Sequence, residues 1–98
     1  MKVIQYETFG PPEEVLQVIS TAAVSPKSGE VRVRVLAAPI HPSNLLQIAG
    51  LYGTKPTLPD VPGSEGIGEV VELGPDVTHL AVGQRVMLAG VGGTWREE

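Results

Sequence analysis

Few residues in this chain could do chemistry, and most of them fall in one stretch. Tyr52 stands in Gly50-Leu51-Tyr52-Gly53, at the mouth of a Pro-rich segment. A phenol with a pKa near ~10 is a protonated donor at neutral pH, so it can stabilise an oxyanion or deliver a proton. The alternative for such a Tyr is a surface or packing role. His41 lies between Pro39 and Pro42. Its imidazole can donate or accept a hydrogen bond near pH 7, and a pocket role and a structural role are both open to it. Glu65, in Gly63-Ser64-Glu65-Gly66, precedes an apolar run. A carboxylate there is expected to be partly buried and hydrogen-bonded, as an anchor or as a catalytic group. Trp95 is the only tryptophan and follows a Gly-rich stretch, so it either packs over the end of a barrel or lines a cleft. The second histidine, His79, sits in a polar turn and is read as solvated.

What these residues cannot do narrows the chemistry. With two His and no Cys, thiolate metal sites and disulfides are excluded, and a histidine-built metal site has too few ligands. Gly63-Ser64-Glu65-Gly66-Ile67-Gly68 spaces its glycines as G-x-x-G-x-G, the reverse of a dinucleotide fingerprint, and a strand rather than a helix follows. Those glycines are read as a turn and a close backbone approach. The net charge of −4, with scattered Lys and Arg, argues against a nucleic-acid partner. The N-terminus turns polar before a signal peptide could form, and no apolar run reaches the ~20 residues of a membrane span. A cytoplasmic location is the expectation.

The elements that must position these residues are short. Twelve Gly and nine Pro in 98 residues demand many turns. At 98 residues there is room for one domain with one core, and with aromatics at 4 % that core is expected to be Val, Leu, Ile and Ala. Strands are expected over 2–8, 15–20, 31–35, 67–73 and 84–89. Val31-Arg32-Val33-Arg34-Val35 alternates with period two, so one face should be buried and the other wet. Ser43 can cap a short helix over 44–49, with Gly50 as its stop. Residues 51–62 read as a loop, of the length that is often functional. Gly90-Val91-Gly92-Gly93-Thr94 reads as flexible. Five or so short strands without strand-helix alternation indicate a small, mostly antiparallel barrel or sandwich.

Several blocks, in order, carry a family resemblance. Ala37-Ala38-Pro39-Ile40-His41-Pro42-Ser43-Asn44, Gly50-Leu51-Tyr52-Gly53 and Leu58-Pro59-Asp60-Val61-Pro62-Gly63-Ser64-Glu65-Gly66 resemble the start of the medium-chain dehydrogenase/reductase superfamily. Gly68-Glu69-Val70-Val71-Glu72-Leu73-Gly74 and Val82-Gly83-Gln84-Arg85-Val86 fit the same pattern. The Gly-x-Tyr-Gly and Gly93-Thr94-Trp95-Arg96 are similar to the 2-enoyl thioester reductases and their NADPH:quinone oxidoreductase relatives. The resemblance implies a mainly β fold, a GroES-like partly open β-barrel with one short helix. Residues 1–98 would form one substrate-side domain, truncated before a Rossmann domain that binds NADPH and inactive alone.

Roles follow by position. In the enoyl reductases the matching Tyr acts on substrate, which implies a catalytic Tyr52. The resemblance further implies cofactor contacts at His41 and Ser43, and a substrate pocket that includes Asn44, Glu65 and Trp95. Zinc-dependent relatives place Cys at the position of His41 and His at that of Ser64, so the resemblance implies no zinc here. The family usually has Asn where His41 stands and Asp where Asn44 stands. The implied substrate is a small molecule, an enoyl thioester or a quinone. A homo-oligomer is also expected, through an exposed strand edge near Glu98. The rival reading is a co-chaperonin-like binding module of similar barrel type, which lacks a reason for the block joining His41 to Glu65.

Overall fold

Glycine and proline decide where elements begin and end in the computed structural model, which describes residues 1–98. The order is β1 (Lys2–Gln5), α1 (Pro12–Val15), β2 (Gln17–Ser20), β3 (Val31–Ala37), α2 (Pro42–Ala49), β4 (Glu65–Leu73) and β5 (Arg85–Ala89). β1 and β2 form an antiparallel pair, and β3, β4 and β5 form an antiparallel sheet in that order. The sheets do not close on one another, so the fold is mainly β and the barrel is open.

Boundaries depart from expectation for local reasons. The first strand stops at Gln5, because Tyr6 pairs instead with Asp60 from the loop: each backbone N–H donates to the other's carbonyl, at 3.0 and 3.1 Å. Val15 belongs to a helical turn, not to the second strand. Pro12 stands at its first position, where a missing N–H costs nothing, and the Leu16 N–H donates back to Pro12 O. Two helices are therefore present rather than one. The same proline effect moves the start of α2. Pro42 takes the first helical position, so His41 rather than Ser43 is the N-cap. Gly50 ends α2 in the left-handed conformation, φ 76°, as its position suggested.

The core also differs in kind. Tyr6, Ile48 and Trp95 form its buried cluster, with Ile4, Phe9, Val15, Leu16, Ala38 and Leu58 packed around it. Two of the chain's four aromatic residues are thus central, not incidental. Val31, Val33 and Val35 of β3 are only half-buried, since they line an open groove of about 650 Å³ with Val24, Leu88 and Val91. Their face is sheltered but not sealed. On β3 and β4, Arg34 pairs with Glu69 at 2.8 Å and Arg32 with Glu72 at 3.1 Å.

The last residues join the two sheets. The Ile4 N–H donates to Trp95 O and the Glu97 N–H to Lys2 O, both at 3.0 Å, while the Val35 N–H donates to Glu97 O at 2.8 Å. The stretch read as flexible is anchored at its end: the Gly93 N–H donates to Gly63 O at 2.9 Å, and Thr94 is buried.

Candidate active site

The N-terminus of α2 is stitched to the start of β4. His41 Nε2 and Glu65 Oε1 are in hydrogen-bonding contact across that gap. Three residues into the helix, Asn44 Oδ1 accepts the His41 backbone N–H at 2.9 Å, and its Nδ2 reaches Ser64 Oγ at 3.5 Å, the long limit of a hydrogen bond. Asn44 is only 4 % exposed, so its amide must find partners inside the fold, and it does. His41 and Glu65 remain partly open to solvent, with side chains 40 % and 50 % exposed. The fold therefore brings His41, Asn44, Ser64 and Glu65 together.

Tyr52 is placed elsewhere. It follows Gly50, at the opposite end of α2 from His41, and the eight helical residues between them span about 12 Å. Its side chain is exposed. The only tyrosine hydroxyl hydrogen-bonded inside the chain is that of Tyr6, to Asp60 Oδ2 at 3.3 Å. Burial, reinforced by the Asp60 carboxylate beside it, pushes the Tyr6 phenol up to about 12. The two tyrosines thus differ in kind: one holds the loop to β1, the other is free.

Other sequence-picked residues make contacts within the fold. Trp95 is 9 % exposed in the core cluster, and its indole N–H donates to Pro39 O at 3.2 Å. It packs in that cluster and also lines an open groove of about 490 Å³ with Ile4, Leu16, Leu36 and Ile40. Asn44 works as a capping group. Ser43 is half-buried at the second position of α2. His79 is exposed at a bend. Gly66 and Gly68 sit in β4, where a side chain on Gly66 would meet Ala37 O at 2.7 Å and one on Gly68 would meet Arg34 O at 2.9 Å. They permit close strand approach and do not cradle phosphate. Sequence reasoning missed Asp60. No local pattern marks it, because its partner Tyr6 lies 54 residues away along the chain.

Comparison with known proteins places this arrangement. The chain is 40 % identical over 99 residues to the mitochondrial enoyl-[acyl-carrier-protein] reductase of Mus musculus, covering 100 % of this chain and 26 % of the relative. It therefore spans about a quarter of the length of the curated relatives it matches. A candidate NADPH:quinone reductase from Bacillus thuringiensis superposes with a TM-score of 0.89 at 43 % identity, over 98 % of this chain and 29 % of the other. The quinone oxidoreductase of Escherichia coli, solved in complex with NADPH, gives a TM-score of 0.86 at 30 % identity, over 99 % and 29 %. The family model for the alcohol dehydrogenase GroES-like domain matches residues 27–97, taking in β3, α2, the loop of Tyr52 and the contact of His41 with Glu65; the chain belongs to that family.

Proposed function

We propose that this chain is the substrate-side domain of a zinc-independent, NADPH-dependent reductase that reduces the activated C=C bond of an enoyl thioester or, failing that, a quinone. The observation that carries this reading is the placement of Tyr52: an exposed phenol with no partner in the chain, on the loop that closes α2. Likeness to enoyl-[acyl-carrier-protein] reductases over the whole chain supports the substrate class. Likeness to a quinone oxidoreductase complexed with NADPH supports the cofactor.

NADPH, when bound, supplies the hydride. The residues of this chain fit only one end of it. Ser43 and His41, at the start of α2, offer a hydroxyl and an imidazole suited to a carboxamide, whereas Gly63–Gly68 offer no helix N-terminus to a pyrophosphate. The phosphates would be held by another part of the parent protein. Hydride addition to the β carbon of an enoyl thioester builds negative charge on the thioester oxygen and leaves the α carbon in need of a proton. The Tyr52 O–H can donate a hydrogen bond to that oxygen or pass its proton to that carbon. Glu65 holds the His41 ring in place and so fixes the cofactor side of the cleft.

Zinc does not fit this donor set. His41 and Glu65 satisfy each other, Ser64 is a neutral hydroxyl, and no Cys is available to complete a shell. No step is therefore routed through a metal.

The test uses the full-length parent protein, with NADPH oxidation followed by absorbance. The substrates are a short enoyl-CoA and a benzoquinone, each with and without a chelator. Chelator-resistant reduction of the enoyl thioester is the expected result. Turnover of the quinone alone would move the protein to the quinone reductases, and turnover of neither would overturn the reading.

A further inference from the structure

A polar cavity lies against the last turn of α2, apart from the contact of His41 with Glu65. It holds about 340 Å³, and Gln47 of α2, Pro56 and Asp60 of the Tyr52 loop, and Gly93 and Arg96 of the tail form its wall. Only one of its eight lining residues, Val61, is hydrophobic, so its occupant must be polar. Contacts within the chain frame it. The Gly93 N–H donates to Gly63 O at 2.9 Å on one side, and the backbone pairing of Tyr6 with Asp60 fixes the other.

Arg96 brings a donor set that the chain does not use. Its Nε–H donates to Gly93 O at 2.6 Å, which fixes the plane of the guanidinium. A side chain on Gly93 would meet Arg96 Nη2 at 2.6 Å and Val61 O at 3.5 Å, so the guanidinium and Val61 border the same space. Gly93 holds φ 74°, so a glycine there both takes the left-handed turn and leaves room for the guanidinium. Neither Nη1 nor Nη2 is hydrogen-bonded or ion-paired within the chain. A half-buried guanidinium with its fork free suits a carbonyl, carboxylate or phosphate oxygen. Asp60 decides among those. It lines the same cavity, its Oδ2 takes the Tyr6 hydroxyl at 3.3 Å, and it forms no ion pair with Arg96. A carboxylate or phosphate would be held by Arg96 but repelled by Asp60. A secondary amide satisfies both: its C=O accepts from Arg96, its N–H donates to Asp60, and the Gln47 amide can take either role.

We propose that this cavity is a subsite for an amide of the pantetheine arm, on which coenzyme A and acyl carrier proteins present their acyl groups. The inference rests on the enoyl-thioester reading above and sharpens it. Pantetheine carries two secondary amides, the nearer one two carbons from the thioester sulfur. An arm seated against Gln47 and Pro56 leaves the thioester toward the Tyr52 end of α2. A quinone has no amide to offer, so the cavity selects thioesters by their carrier and not by their double bond. A hydrogen bond to a charged group in such a site is worth about 10–100-fold in affinity.

Steady-state kinetics of the full-length protein with NADPH tests it on three crotonyl thioesters: that of pantetheine, that of N-acetylcysteamine, which keeps one amide, and that of propanethiol, which has none. The expected result is a kcat/KM for the pantetheine thioester about 10–100-fold above that for the propyl thioester, mostly through KM. Arg96→Met should bring that ratio toward one, and Gln47→Leu should lower it in part. Arg96→Lys keeps the charge without the fork and should recover little of it. A purely structural Arg96 would lose efficiency equally on all three thioesters, and that outcome overturns the proposal. Equal kcat/KM for the propyl and pantetheine thioesters in the unsubstituted protein overturns it too, and leaves the proposed reaction standing. Turnover of no thioester overturns both. Should Arg96→Met fail to fold, Gln47→Leu and the ratio in the unsubstituted protein decide.

Discussion

His41 and Glu65, twenty-four residues apart, clasp the first turn of α2 to the first residue of β4. A hydrogen-bonded pair can hold two elements in register as a metal does, but far more weakly when solvent reaches it. With both side chains about half-exposed, Glu65→Gln should cost only about 0–1 kcal/mol. Thermal unfolding checks this, and the difference from the parent chain should shrink further in high salt. A large, salt-insensitive loss would mean that the pair is effectively buried.

Tyr6 makes the opposite kind of contact. Its phenol is fully buried, beside Asp60, and is held up to about 12. In the unfolded chain it ionises near ~10. The native state therefore keeps a proton that the unfolded state has lost, and stability falls as pH rises from about 10 to about 12. Below pH 10 the contribution is fully present. Melting temperatures across that range should drop, and Tyr6→Phe should flatten this part of the profile. The tyrosinate absorbance of Tyr6, isolated in a Tyr52→Phe background, should rise near about 12.

Gly63 is held at φ 104°, and a side chain there would meet Trp95 Cδ1 at 2.6 Å and Thr94 N at 2.9 Å. Both strain and overlap oppose any substitution, because Thr94 and Trp95 are buried and cannot step aside. Gly63→Ala should lose about 1–3 kcal/mol. The single tryptophan makes the effect visible, as the emission of Trp95 should shift to the red if the variant lets water reach the ring. Unchanged stability would mean that the 62–64 turn and the 93–95 tail move together.

Much of this was legible in advance, and the failures share a cause. Period-two alternation found β3, the glycines marked the end of α2 and the turn before β5, and three ordered blocks pointed to the family. Val15, Tyr6 and Ser43 were misplaced because proline chemistry and long-range pairing override local pattern. The core was misjudged on composition alone. Four aromatics suggest an aliphatic interior, yet Tyr6 and Trp95 meet at Ile48 because the tail crosses between β1 and β3. No local window contains Tyr6, Ile48, Asp60 and Trp95 together, so neither the cluster nor the role of Asp60 can be read from neighbours. His41 and Glu65 were both singled out, but their contact was not, for the same reason.

Tyr52 separates catalysis from folding. Its ring is 47 % exposed and its hydroxyl is free within the chain, so Tyr52→Phe should leave thermal stability within about 0.5 kcal/mol of the parent chain. In the full-length protein, on the proposed reading, the same change removes a proton donor and keeps the ring. If that donor acts on the developing enolate, kcat for an enoyl thioester should fall by about 10²–10⁴ while KM changes little, since the lost interaction belongs to the transition state. Tyr6→Phe should show the reverse, losing stability while kcat at low temperature holds. Equal kcat in Tyr52→Phe and the parent enzyme would place the proton donor elsewhere and leave Tyr52 as a surface residue of the loop.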